Sequence, residues 1–331
     1  MKKAFLYFFP ILIVSLCLSG CRTGSADNTG EKEKLKIVAT IFPEYDWVMN
    51  ILGDNADGAE VTLLLDKGVD LHSYQPTAGD ILKISSCNMF IYVGGESDAW
   101  IEDALSEAVN KEMTVISLME LTGDSAKEEE ITEGMQDPED EGEIGEDSRD
   151  PEKEYDEHVW LSLKNAAKYT GYIAEKLELA DPGNAAAYRE NAAGYIEKLN
   201  DLDRRFAEAV SEGSKDTLLF GDRFPFRYLT DDYGLSYYAA FPGCSAETEA
   251  SFETVTFLAK KVNELSLHSV ITIDGGDQKI AETIVKNTET GDQRILTMDS
   301  MQSVTKEDTE KGTTYLSVME NNLSVLSQAL E

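Results

Sequence analysis

Histidine is scarce in this sequence. Three of 331 residues are histidine, at positions 72, 158 and 268, so each placement needs its own explanation. Cysteine is nearly as sparse, with only Cys17, Cys21, Cys87 and Cys244. That number excludes a disulfide scaffold and allows at most one bond, between Cys87 and Cys244, if Cys17 is lost with a leader and Cys21 is modified. Basic residues are also few, 29 against 63 acids, and the formal net charge is -34. A chain so acidic lacks the basic face that phosphate binding needs, which excludes nucleic acid as a partner. Beyond the first twenty residues no apolar run is long enough to cross a bilayer. There is no HExxH pattern and nothing resembling a Ser/His/Asp set. No short-period repeat is present either.

What is there begins with a leader. "MKKAFLYFFPILIVSLCLSGC" opens with two lysines, runs apolar from Ala4 to Leu18 and ends in small residues before Cys21. Residues 1–20 therefore read as a secretory signal peptide. "LSGC" is also the pattern of a bacterial lipobox, in which the Cys21 thiol receives a diacylglycerol and becomes the N-terminus. The alternatives are a signal cleaved elsewhere and a retained membrane helix, for which the apolar run is short. The expectation is a cell-membrane protein held by lipid on the extracytoplasmic face. Residues 21–34 then form a polar tether.

About 310 residues remain, a length that suggests two domains. Short β-branched runs alternate with helical segments from Leu35 to Met119, and again from Asp216 to the C-terminus. That alternation predicts α/β architecture, with two lobes of βα units and mostly parallel sheets. Between them, apolar positions Tyr188, Ala192, Tyr195, Leu199, Leu202, Phe206 and Ala209 recur at steps of four and three. They predict one helix of roughly 40 Å bridging the lobes and limiting hinge motion. The expected boundaries are 35–160 for the first lobe, 161–212 for the helical linker and 213–331 for the second lobe. An acidic insertion interrupts the first lobe at about 124–155. From Glu128 to Glu157 there are sixteen acids and two bases, too polar to bury a core, so it is read as disordered or weakly ordered. Clustered carboxylates there could collect divalent cations weakly.

Two histidines stand where chemistry is expected. His72 lies in "GVDLHSYQPT", a polar turn beyond the carboxyl end of a strand, the rim where ligands gather in parallel sheets. His158 stands in "DEHVWLSLKNA", where the insertion meets the helical middle. Two such imidazoles fit a zinc site that also takes carboxylates; manganese would want more oxygen. The second lobe offers Asp222 after "TLLFG", Asp274 after "SVITI" and Asp277 three residues on, with helix capping as the competing role for each. Cys244 in "FPGCSAETEA" follows a strand; a thiolate there would favour zinc, and the alternative is a buried small residue. His268 precedes its strand, at the wrong rim.

These stretches resemble the metal-binding lipoproteins of zinc and manganese ABC importers, a solute-binding family of two α/β lobes joined by one long helix. "IVATIFPEYDWVMNILGD" resembles the opening strand and helix, "GVDLHSYQPTAGD" and "DEHVWLSLKNA" the first two metal-ligand loops, and "DPGNAAAYRENAAGYIEKLNDLD" the bridging helix. "YLSVMENNLSVLSQAL" resembles the closing one. The resemblance covers essentially the whole chain after the leader and implies that His72 and His158 bind metal. The third family ligand is a histidine or glutamate ahead of a Phe-x-Tyr helix. Here "FGDRFPFRYLTDDYGL" aligns Arg223 with it, and an arginine cannot coordinate a cation. Either Asp222 binds through a one-residue shift or a protein ligand is missing. The fourth is an acid, Asp274 or Asp277, with Asp274 favoured because it ends its strand.

The resemblance implies a monomeric binding protein that captures a divalent cation, expected to be Zn2+ with Mn2+ as the alternative, and delivers it to an ABC transporter permease. Zinc members often carry a histidine-rich insertion, and here the insertion is acidic. Two other classes compete. A zinc-dependent hydrolase could use Glu157 as its base, and a surface adhesin would use metal only to stabilise its fold.

Overall fold

A computed structural model of the protein describes residues 34–136, 154–245 and 249–331. The expected signal peptide, Cys21 and the tether up to Glu33 lie outside the described residues. In the first half, β1 (Leu35–Ala39), α1 (Phe42–Leu52), β2 (Ala59–Leu63), α2 (Ala78–Ser86), β3 (Met89–Tyr92), α3 (Trp100–Ser106), β4 (Thr114–Ser117) and α4 (Leu118–Thr122) alternate. Every pairing is parallel and the strand order is β2-β1-β3-β4. Met89, Phe90 and Ile91 are fully buried, as a parallel strand covered by helices on both faces requires.

Two helices follow. α5 (Leu163–Ala180) starts at Ser162, whose hydroxyl accepts from Asn165 N, a cap that satisfies one of the first-turn amides. It stops at Asp181-Pro182-Gly183-Asn184, where proline cannot extend it. α6 (Ala185–Glu212) has 28 residues, about 42 Å at 1.5 Å per residue. Tyr188, Ala192, Tyr195, Leu199, Leu202 and Phe206 are buried along one face, as the stripe predicts, and Ala209 packs at its edge.

The second half repeats the first. β5 (Thr217–Phe224), α7 (Arg227–Tyr233), β6 (Ser236–Pro242), α8 (Phe252–Leu265), β7 (Ser269–Ile273), α9 (Lys279–Lys286) and β8 (Arg294–Met298) form a parallel sheet of order β6-β5-β7-β8. α10 (Lys306–Glu310) and α11 (Tyr315–Ala329) close the chain. One hydrophobic core takes in Ile37 and Phe90 of the first lobe, Leu199 of α6, Phe220 of the second lobe and Tyr315 of α11. A smaller core under α8 and α9 belongs to the second lobe. At the junction Trp47 is fully buried, 5.8 Å from the ring of Tyr169 and 5.4 Å from that of Tyr315.

The structure differs from the sequence reading in three places. β5 does not end at Gly221 but runs on to Phe224, with a register shift against β6 between Phe220 and Arg223. The flanks of the acidic insertion are ordered. Glu128 bridges Tyr155, Gln136 N donates to Ala240 O at 3.0 Å, and Met135 is buried. Backbone pairing and one apolar anchor outweigh the repulsion of the acids there; residues 137–153 lie outside the described residues. The chain after β8 also returns to the first lobe, where Lys306 N donates to Asp66 O at 2.9 Å. No described helix is long and apolar enough to cross a membrane.

Candidate metal site

The loop after β2 turns on Asp70, whose Oδ1 accepts from His72 N at 3.0 Å and starts a one-turn 3-10 helix, Leu71–Ser73. Leu71 is buried as its anchor. His158 is set by Asp156, whose Oδ1 accepts from both the backbone N–H, at 2.8 Å, and Nδ1, at 3.1 Å. The His158 imidazole is fully buried, with the Trp160 ring 5.2 Å away. These two loops, 86 residues apart, bring the Nε2 atoms of His72 and His158 to 3.2 Å from each other.

The protonation of the pair follows from its outer partners. A carboxylate only accepts, so Asp156 holds a proton on His158 Nδ1 and turns Nε2 toward His72. His72 Nδ1 lies 2.7 Å from Ser97 Oγ and 3.7 Å from Glu157 Oε2. Burial, and after it the neighbouring His158, pulls the His72 imidazole down to about 3, so the ring is neutral. Two nitrogens 3.2 Å apart, each about 2.05 Å from one zinc ion, subtend about 103°, close to the tetrahedral angle of about 109°.

Cys244 completes the cluster. Its Sγ and ring nitrogens of His72 and His158 all lie within 4.8 Å of one another. It follows β6, across the cleft from the histidines, and its N–H donates to Glu129 Oε1 at 3.0 Å. Burial first, then the carboxylates of Glu129, Asp156 and Glu157, hold the thiol above its ordinary value. A cavity of about 400 Å3 opens beside it, lined by His72, Glu96, Ser97, Glu129, Glu154, Glu157 and Cys244 among others. Cys244 and Cys87 are both free thiols, so the disulfide left open by the sequence is not formed; Cys87 is buried against Met113, with Sγ 3.1 Å from Sδ.

The three aspartates do not join the histidines. Asp222 accepts from Ile273 N at 3.2 Å and from Arg223 N at 2.9 Å, and burial raises its pKa. Asp274 accepts from Ser300 N at 2.6 Å, from Ser300 Oγ at 2.8 Å and from the Ser303 hydroxyl. Asp277 is exposed, holds Lys279 N at 3.2 Å and pairs with the Lys279 ammonium. All three line another cavity, of about 480 Å3, together with Asp70 and Arg223. The cause is the longer β5: Asp222 and Arg223 lie inside the strand, and the Asp222 carboxylate bonds to neighbouring β7. Arg223 reaches across the cleft, with Nη2 2.7 Å from Asp70 Oδ2 and Nη1 3.3 Å from Ser245 O.

Three participants escaped the sequence reading, and Cys244 was weighed there against a role as a buried small residue. Asp156 had a signal, an acid two residues before His158. Ser97 and Gln302, whose Nε2 is 3.4 Å from His158 Nε2, had none, because their nearness is purely tertiary. His268 is exposed ahead of β7, as expected.

Comparison with known proteins gives one direction. Residues 37–329 match the family model described as the periplasmic zinc-uptake complex component A, ZnuA. The zinc-binding lipoprotein AdcA of Streptococcus pneumoniae is 31% identical over 324 residues, covering 97% of this chain. The chain spans only 60% of that relative's length. The high-affinity zinc uptake system protein ZnuA of Bacillus subtilis is 29% identical, covering 96% of this chain and 94% of the relative. Among solved structures, the Zn(II)-bound ZnuA-like domain of pneumococcal AdcA superposes with a TM-score of 0.68 at 29% identity. The superposition covers 90% of this chain and 99% of that domain.

Proposed function

The chain belongs to the ZnuA family of zinc-uptake components, and from that premise we propose that it is an extracytoplasmic binding protein that captures Zn2+ and hands it to an ABC importer permease. The observation that carries this reading is the convergence of two Nε2 atoms at 3.2 Å in a buried cleft. Two ring nitrogens at that distance need a proton or a cation between them. Their outer nitrogens are held by Asp156 and Ser97, the kind of support that orients a metal-bound histidine. The two-imidazole set favours zinc over manganese, which prefers oxygen.

A lipid on Cys21 would hold the protein at the outer face of the membrane, where the cation is collected. Release would follow docking on the permease, which separates donors supplied by opposite lobes. The hydrolase alternative needs Glu157 as a base near the ion. That carboxylate instead accepts from Ser97 N at 3.0 Å and lies by the Nδ1 side of His72. Isothermal titration tests the proposal: the protein is expected to take one equivalent of zinc, and the His72→Ala/His158→Ala double variant none. A double variant that binds one equivalent unchanged would sink it.

A further inference from the structure

We propose that Cys244 supplies the second lobe's donor, so that the ion is held by two imidazole nitrogens and one thiolate sulfur. This rests on the zinc-binding role proposed above and specifies its chemistry. Such a set takes zinc, cobalt and cadmium and discriminates against manganese, which thiolate suits poorly. The aspartates that the sequence offered for the task face another cavity and are engaged by Ile273, Ser300 and Lys279.

Three features bring the thiol to the pair. Gly243 precedes it, and a Cβ there would stand 3.0 Å from His158 Cε1 and 2.8 Å from Phe224 O. Only glycine lets the end of β6 approach the imidazole so closely. Glu129 Oε1 then fixes the Cys244 amide at 3.0 Å. The third feature is Arg223, which stands where the family resemblance implies a ligand and has no lone pair to give. Its fork joins Asp70, which caps the His72 turn, to the carbonyl of Ser245, next to Cys244. The arginine is thus a positioning residue that ties the two donor loops together, and the sulfur replaces the ligand it displaces.

The geometry needs only a small adjustment. The donor atoms lie within 4.8 Å of one another. A tetrahedral zinc with Zn–N of about 2.05 Å and Zn–S of about 2.3 Å places nitrogen and sulfur about 3.6 Å apart. The difference is at most about 1.2 Å, less than the 2.3 Å length of one Zn–S bond. On binding, the S–H bond breaks, an S–metal bond forms and the proton leaves to buffer; no electron is transferred. The bound ion and thiolate keep one net positive charge, with the carboxylates of Asp156 and Glu157 beside the two imidazoles.

The test uses Co2+ as a spectroscopic stand-in for zinc in the full chain, with Cys17, Cys21 and Cys87 replaced by serine. One equivalent of cobalt is expected to give an intense thiolate-to-cobalt charge-transfer band in the near ultraviolet. Adding Cys244→Ser is expected to abolish the band, weaken zinc binding by at least tenfold and narrow the preference for zinc over manganese. A protein that binds one equivalent of zinc and of cobalt with no such band overturns the inference while the zinc-binding reading stands. A protein that binds no zinc at all removes the reading itself. The parent spectrum decides without the Cys244 variant, so poor folding of that variant cannot obscure the result.

Discussion

A histidine becomes a metal donor through the atom on its far side. Asp156 Oδ1, 3.1 Å from His158 Nδ1, fixes both the tautomer and the ring direction. Asp156→Asn keeps the shape and removes the charge; zinc affinity is expected to fall about tenfold with unchanged stoichiometry, measured by competition with a chelating dye. Glu44 makes a different single-residue case. Its Oε2 accepts from Thr40 N, Thr40 Oγ1 and Ile41 N, while its buried Oε1 has no partner. Burial lifts its pKa from 4.5 to about 8. A raised folded-state value means that the native state holds the proton longer, so the contribution is fully present below 4.5 and is lost as pH rises through about 8. Denaturant midpoints should therefore fall between pH 5 and pH 8, and Glu44→Gln should shrink that drop. At this scale the sequence was legible in part. His72 and His158 stood out because polar loops have no packing use for an imidazole. Which acid or thiol faced them depended on strand register and on loops far apart in the chain, and neither is written locally.

Elements were easier to read than sites. The stripe on α6 is local information, seven side chains at helical spacing, of which six are buried and Ala209 is partly buried at the edge. Leu199, with no exposed surface, sits mid-stripe; Leu199→Ala is expected to cost about 2–5 kcal/mol in equilibrium unfolding while leaving zinc stoichiometry intact. β5 shows the limit. "TLLFG" reads as a strand that ends at glycine, yet pairing with β6 carries it on to Phe224. Gly221 belongs there for a tertiary reason, since a Cβ would meet Ala281 of α9 at 2.7 Å. That extension of three residues moved Asp222 and Arg223 from a loop into a ladder, and with them the expected ligand. The flanks of the acidic insertion were misread for a similar reason: composition signalled disorder, but Met135 joins the main core and Gln136 N pairs with Ala240 O, partners outside the segment.

For the whole molecule, two lobes with a common interior should behave as one body. The core runs from β1 through α6 to α11 without a break, and the first residue of α10 fastens the second lobe to Asp66 of the first. Small-angle scattering should accordingly show the same radius of gyration with and without zinc. A contraction of several ångström on loading would mean that a hinge opens where the structure places packed side chains. The doubled βα pattern and the bridging helix made this architecture legible, whereas the return of the chain after β8 left no mark in the sequence. The contact of Trp47 with Tyr315 also sets an order of assembly. The N-terminal half is synthesised first, yet one wall of its interior arrives only with the last helix, about 270 residues later, which is slow, non-local folding. Until then the emerging polypeptide has no finished half to lock into.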